Sequence, residues 1–334
     1  MKRKYSIALI QQKIEEMEIR DYIAGDEIHI LKLFEIVFGK PMQLSYWKWR
    51  FNDNPAGKHL IKLMWEKDQL IGHYAVSPVN LGICESNCLS ALSMTTMTHP
   101  EFGGLGIFGF LANSLYERLE MQLDAKAIYG FPNNNSHYGF VRNLKWENLG
   151  QISHMILSAG KIKPTLSDQV QHFTSFTDEH AALMLSVTSQ FKVSVNRNTS
   201  YLNWRYVNNT TSSYDKFEFR NNNELLGLLV VKQYPSSTMP GVNDLFITEV
   251  GITKKNASLL KVFLSHISAF YGPSKAKINT WISLFDNRYI HFEKAGFEPG
   301  GKPTYFCVRP NAEMKNELTD FRNWYLSYGD SDIY

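Results

Sequence analysis

One phrase is written twice in this chain. Ser45-Tyr46-Trp47-Lys48-Trp49-Arg50 returns as Ser200-Tyr201-Leu202-Asn203-Trp204-Arg205, and Asn54 returns as Asn209, at a constant offset of 155. Gly72 in Leu70-Ile71-Gly72 meets Gly227 in Leu225-Leu226-Gly227 at the same offset. Leu144-Lys145-Trp146-Glu147 resembles Ala295-Gly296-Phe297-Glu298. Two copies are too few for a solenoid, so the pattern predicts tandem domains from an internal duplication. A chain of 334 residues also exceeds one typical core. The expected division is 1–158 and 159–334, with the split in 158–166.

Both copies predict the same succession of elements. In the first, a strand at 17–22 precedes a helix whose apolar face is Ile28, Leu31, Phe34 and Phe38, with Asp26 as the expected N-cap. A hairpin follows at 60–66 and 69–78, then a buried strand at 89–98, a helix at 105–123 and a short strand at 127–131, after which Pro132 to Ser136 read as the start of another helix. In the second copy a helix at 181–191 leads to a hairpin at 214–220 and 224–231. A strand at 244–252, a helix at 255–270 and a strand at 277–283 complete it. Strands and helices in this alternation predict an α/β class, α+β in detail, with a mixed sheet.

The copies differ after their longest strand. The first continues His99-Pro100-Glu101-Phe102-Gly103-Gly104-Leu105-Gly106-Ile107-Phe108 and then becomes a helix. Glycines there permit positive φ and close backbone approach. The first N–H groups of the helix have no internal partner, and with the dipole they suit a phosphate or pyrophosphate. The second copy has Thr253-Lys254-Lys255-Asn256-Ala257 at that place, without glycine. The loop lacks the spacing of a dinucleotide-binding fingerprint and the Gly-Lys-Ser/Thr of a P-loop.

The loop resembles the acetyl-coenzyme A loop of the GNAT N-acyltransferase superfamily, Gln/Arg-x-x-Gly-x-Gly/Ala between a strand and a helix. Gly104 and Gly106 match it; Gly103 replaces the basic or amide residue, and Phe108 replaces the final small one. Asn287 and Phe292-Glu293-Lys294-Ala295-Gly296-Phe297 are similar to the family's Asn…Tyr-x-x-x-Gly-Phe segment. The resemblance implies two tandem GNAT-like domains. The first would bind acyl-coenzyme A through Met97, Thr98, Gly103, Gly104, Leu105, Gly106, Ile107, Phe108, Asn134 and Ser136. The second would be an acceptor-side or structural partner.

The layout resembles two-domain bacterial N-acyltransferases of nucleotide-linked amino sugars for lipopolysaccharide O-antigen or capsule. That implies transfer of an acetyl or 3-hydroxybutanoyl group to the amine of a sugar such as a dTDP-3-amino-3,6-dideoxyhexose. Two other readings stay open: a Fem-like aminoacyl transferase, and a non-catalytic module that senses acyl-coenzyme A.

Acyl transfer to an amine needs a base for the amine proton, donors for the developing oxyanion and an acid for the leaving thiolate. Backbone N–H groups near Met97 and Thr98 are the expected donors. His73, His99, Glu101 and His137 are the candidate bases. His73, on an apolar strand, reads equally as a buried structural histidine. The family's acidic tyrosine falls on Val141, so Tyr138 is the candidate substitute. Trp47, Arg50, Asn133, Asn135 and Trp281 are assigned to the acceptor, in a cleft between the copies. Arg50 suits a bidentate hold on a phosphate or an ion pair with a carboxylate, and its repeat at Arg205 favours the second.

Composition narrows the partners. Net charge is only +3 and no long basic run occurs, which gives no case for nucleic acid. Three cysteines without histidine neighbours read as free thiols rather than a metal site. The basic start, Met1-Lys2-Arg3-Lys4, lacks an apolar continuation, and no stretch reaches 18 apolar residues. The expectation is a cytoplasmic protein with no metal and no membrane contact; oligomeric state is not legible.

Overall fold

The computed structural model describes residues 17–272 and 275–332; the basic start lies outside them. Among these residues thirteen strands join in one mixed sheet, the α/β class expected. The first half contributes β1 (Met17–Asp21), β2 (Leu60–Glu66), β3 (Gln69–Ile83), β4 (Ser86–Thr98), β5 (Ala127–Gly130) and β6 (Glu147–Ser158). The second contributes β7 (Val170–His172), β8 (Val193–Val195), β9 (Asp215–Asn221), β10 (Glu224–Pro235), β11 (Asn243–Gly251), β12 (Lys275–Trp281) and β13 (Glu298–Pro310). Helices α1 (Glu27–Phe38), α2 (Leu44–Phe51) and α3 (Ile107–Met121) belong to the first half. Helices α4 (Asp178–Thr188), α5 (Thr199–Tyr206) and α6 (Leu259–Tyr271) recur at the matching places in the second.

The sheet runs β1-β2-β3-β4-β5-β13-β6-β12-β11-β10-β9-β7. Each half's last strand lies beside the other half's β5-type strand. β13 pairs with β5, β6 pairs with β12, and β6 and β13 pair antiparallel at the centre. The division near residue 158 therefore cuts the sequence but not the sheet. Burial of an unpaired strand edge is costly, so each half satisfies the other's edge.

The repeated words sit on this pseudo-symmetry. Trp49 Nε1 donates to Trp204 O at 2.8 Å, and Trp204 Nε1 donates to Trp49 O at 2.9 Å. Their rings stack with centroids 4.9 Å apart. A residue and its copy bind one another reciprocally, as contacts across a two-fold do. The repeated glycines have a packing reason. A Cβ on Gly72 would lie 2.4 Å from Ile107 Cγ2 on α3, and one on Gly227 would lie 3.0 Å from Phe263 on α6. Each glycine lets the helix after the long strand press onto the hairpin.

Two local expectations are corrected. Asp26 does not cap α1: its own backbone is helical, and its carboxylate accepts Arg20 at 2.6 and 2.8 Å and the Ile23 N–H at 2.8 Å. The stretch after Pro132 does not start a regular helix. It forms a turn held by Asn133, then a π-type turn at Gly139–Asn143.

Candidate active site

β4 and β5 pair only at Ala91–Ile128 and Leu92–Tyr129. Beyond these positions they separate. β4 also bulges there: His73 faces Met97 and Ala75 faces Met94, so Thr95 and Thr96 stand opposite Tyr74 alone. Thr95 takes φ +50°. His73 holds the bulge, with Nδ1 donating to Thr95 O at 2.7 Å. Full burial lowers the His73 pKa to about 4, so the ring is neutral at neutral pH.

The gap opens into a cavity of about 690 Å³. Its floor is Ser93 to Thr96 of β4 with Gly130 and Phe131 at the end of β5. One wall is Phe34, Phe38, Lys40, Met42 and Tyr46, from α1 and α2 and the turn between them. Opposite stand Asn133, Ser136 and Phe140. The second half adds Thr211 and Asp332. Behind the floor, Ser93 Oγ, Tyr74 Oη, Tyr116 Oη and Trp146 Nε1 form a hydrogen-bonded chain with links of 2.9 to 3.0 Å.

The glycine loop follows β4 directly. His99 to Phe102 make a short 3₁₀ turn, Gly104 takes φ +89°, and Gly106 takes φ +76° as the residue that opens α3. The N–H groups of Gly104, Leu105, Gly106, Ile107 and Phe108 donate to nothing among the described residues. A Cβ on Gly104 would meet no atom within 4 Å, so the loop's outer side is open. Five unclaimed N–H groups at the start of a 15-residue helix fit a pyrophosphate.

The residues singled out from sequence are distributed unequally. Asn133 and Ser136 line the cavity; Asn134 and Asn135 are exposed on the turn outside its lining. Met97 and Thr98 are back in register with β3, and Thr95 and Thr96 border the cavity instead. His137 stacks on Tyr305 of β13 with ring centroids 3.9 Å apart, outside the lining. Tyr138 is 68% exposed and Glu101 is exposed beside the loop. His99 accepts the Glu101 N–H at 3.4 Å, and Leu105 is buried behind the loop.

Three acceptor candidates are buried by packing. Trp47 lies against Tyr22 and His59, away from the cavity. Trp281 packs behind Phe131, with centroids 5.2 Å apart, and against Tyr328. Arg50 lies over the Trp49 ring at 4.5 Å, and its buried Nε has no partner among the described residues. Its copy Arg205 is bound to the Gly329 and Ser331 carbonyls and to Tyr214 Oη. The residues that sequence reasoning missed are Lys40, Tyr46, Met94, Thr211 and Asp332. Apart from Tyr46, which belongs to the repeated phrase, none stands in a motif, and only the fold gathers them.

The matching gap in the second half is filled. The turn Tyr328–Asp330 lies there, with Tyr328 against Trp281 at the end of β12 and Phe246 of β11. Arg197 Nε donates to Glu249 on β11 at 2.9 Å, and Arg197 Nη2 donates to both Asp330 oxygens at 2.8 Å. Tyr206 Oη donates to Glu249 at 2.9 Å.

Residues 18–149 match the acetyltransferase (GNAT) domain family. No curated protein matches the chain by sequence. Several solved structures share the fold. A GCN5-related N-acetyltransferase from Anabaena variabilis aligns with TM-score 0.68 at 12% identity, over 88% of this chain and 72% of that one. A probable N-acyltransferase of unknown function from Enterococcus faecalis aligns with TM-score 0.67 at 11% identity, over 88% and 72%. N-myristoyltransferase from Saccharomyces cerevisiae, solved with bound myristoyl-CoA, aligns with TM-score 0.62 at 9% identity, over 89% and 79%. Residues 18–149 thus match a GNAT domain, and that match supports an N-acyltransferase. No helix among the described residues is long and apolar enough to cross a membrane.

Proposed function

We propose that the chain transfers an acyl group from acyl-coenzyme A to a primary amine in the cleft between β4 and β5, and that it arose by duplication of one GNAT-like unit. One observation carries the reading: the strands part at a 690 Å³ cavity, and β4, which floors it, runs on into a loop with five unclaimed N–H groups. Gly103, Gly104, Leu105, Gly106, Ile107 and Phe108 hold the donor's pyrophosphate. The bulged backbone at Thr95 and Thr96 faces the thioester, where its dipoles stabilise charge developing on the carbonyl oxygen. Asn133 and Ser136 flank the acyl group or the acceptor. The second half closes the cleft and does not bind a donor of its own.

The finer reading gives the amine to a nucleotide-linked amino deoxysugar, on the strength of the layout that the sequence resembles, with a cytoplasmic setting to match. Lys40 is the cationic side chain in the lining that would meet its phosphates. A second reading rests on the wall of Phe34, Phe38, Met42 and Tyr46. Apolar and aromatic side chains suit an amine with an apolar body. One assay separates them: thiol release from acetyl- and 3-hydroxybutanoyl-coenzyme A with a panel of dTDP-amino sugars and of arylalkyl amines. Turnover on the sugars alone supports the finer reading, and turnover on the amines alone supports the second. Binding of coenzyme A by calorimetry without thiol release on any amine defeats the enzymatic reading in favour of a sensor.

A further inference from the structure

Among the described residues, three ionisable side chains line the cleft: Lys40, Tyr46 and Asp332. An ammonium has no lone pair to offer and a phenol holds its proton, so a carboxylate is the acceptor of the three. No histidine is among the described lining residues; His73 is fully buried outside the lining, with Nδ1 on Thr95 O and Nε2 without a partner among the described residues. From this geometry we infer that Asp332, carried in from the second half, is the base that takes the proton of the acceptor amine. The inference rests on the acyl-transfer reading above. As the nitrogen lone pair forms the N–C bond, the C–S bond breaks with its electron pair going to sulfur. The proton leaving nitrogen passes to the Asp332 carboxylate and from there to the thiolate.

The tertiary structure fixes where Asp332 lies. Asp330, two residues earlier, accepts Arg197 twice and the Ser327 N–H, all at 2.8 Å. Arg205 donates to the carbonyls of Gly329 and Ser331. Gly329 admits no side chain: a Cβ there would lie 2.0 Å from Tyr206 Oη and 2.6 Å from Glu249 Oε1. The segment is clamped in the filled gap of the second half, and its next residues reach the open gap of the first. Burial raises the Asp332 pKa, against the pull of Arg50 from α2 and Arg205 from α5. A raised carboxyl is a better base near neutral pH.

The test measures thiol release by the full chain with acetyl-coenzyme A, on the amine panel and on water, across pH 5 to 9. Coenzyme A affinity is measured in parallel by calorimetry. Asp332→Asn should lower kcat by about 10²- to 10⁴-fold, the usual contribution of a positioned acid or base. Coenzyme A affinity should be unchanged, and the acid limb of the native pH–rate profile should disappear. Arg50 and Arg205 are the charges that act on Asp332, and Lys40 shares the cavity lining. Gly329→Ala should lower kcat in the same way by moving Asp332 and should also lower the denaturation midpoint, with unchanged coenzyme A affinity as the check that the first half stays folded. An Asp332→Asn variant that keeps native kcat, or keeps the acid limb, overturns the inference and leaves the acyl-transfer reading intact. Native protein that binds no coenzyme A, or releases no thiol, overturns both.

Discussion

The same two positions hold opposite chemistry in the two halves. Met42 and Met94 line the open cleft of the first half. The residues 155 places later are Arg197 and Glu249, buried at 4% and 0% exposure and joined at 2.9 Å. The register agrees, since Ala75 faces Met94 as Val230 faces Glu249. Two soft apolar side chains leave room for a ligand. A buried ion pair needs its remaining hydrogen bonds filled, and here Tyr206, Ser327 and Asp330 fill them. The first half thus holds a pocket and the second a clamp, and the polarity of the side chains at these two sites differs accordingly.

Breaking the clamp should have the largest effect. Arg197→Met leaves Glu249 and Asp330 buried without their cation, and should cost about 3–5 kcal/mol in chemical denaturation. Arg197→Met with Glu249→Met makes the second half resemble the first, and should recover part of that loss. A double variant worse than the single one would show that the methionine pair is not a workable substitute here.

Acid should act on the first half. His73 is fully buried with its pKa lowered to about 4, whereas the position 155 later is Leu228. Below about pH 6.5 the unfolded chain takes up a proton at this residue that the folded chain refuses. Stability present at neutral pH is therefore lost as pH falls from about 6.5 to 4, by about 2–4 kcal/mol at 1.4 kcal/mol per unit. His73→Leu should flatten that slope in denaturation curves taken at successive pH values. An unchanged slope would place the acid sensitivity elsewhere.

The loops offer a functional contrast. Gly106 sits at φ +76°, where a β-branched side chain is strained by about 1–3 kcal/mol. Gly106→Val should weaken coenzyme A about 10- to 100-fold in calorimetry while the chain stays folded. Asn256→Val, on the matching turn of the second half, should leave the affinity alone. A loss in the second variant would mean that the second half also binds the donor.

The smallest effect compares the two glycines under the helices. Gly72→Ala drives a methyl within 2.4 Å of Ile107 and 2.9 Å of Leu111, and overpacking of that kind costs about 1–3 kcal/mol. Gly227→Ala, at 3.0 Å from a Phe263 ring edge, should cost less. Equal midpoints for the two variants would show that α3 is no more tightly seated than α6.

Much of this molecule was legible in its residues. The offset of 155, the hairpins and the strand–loop–helix unit at 89–121 are local patterns, set by side-chain period and by glycine's freedom at positive φ. The loop at 103–108 could be read as an anion site for the same reason. Repetition also suggested that Trp49 and Arg50 mattered, and their neighbours then decided how: Trp49 meets its own copy, and Arg50 lies against that pair.

What the tertiary structure alone decided depends on contacts between residues far apart in the chain. β6 and β13 were missed as strands. β13 begins Glu298-Pro299-Gly300-Gly301, which reads as a turn, and both strands are fixed by pairing with each other across the middle of the sheet. His137 and Trp281 carry side chains suited to a site, yet Tyr305 and Phe131 with Tyr328 claim them. Asp332 has no motif around it. Its place in the cleft follows from Arg197, Glu249 and Asp330 holding the segment before it, and no local pattern encodes an ion pair between residues 52 and 133 positions apart.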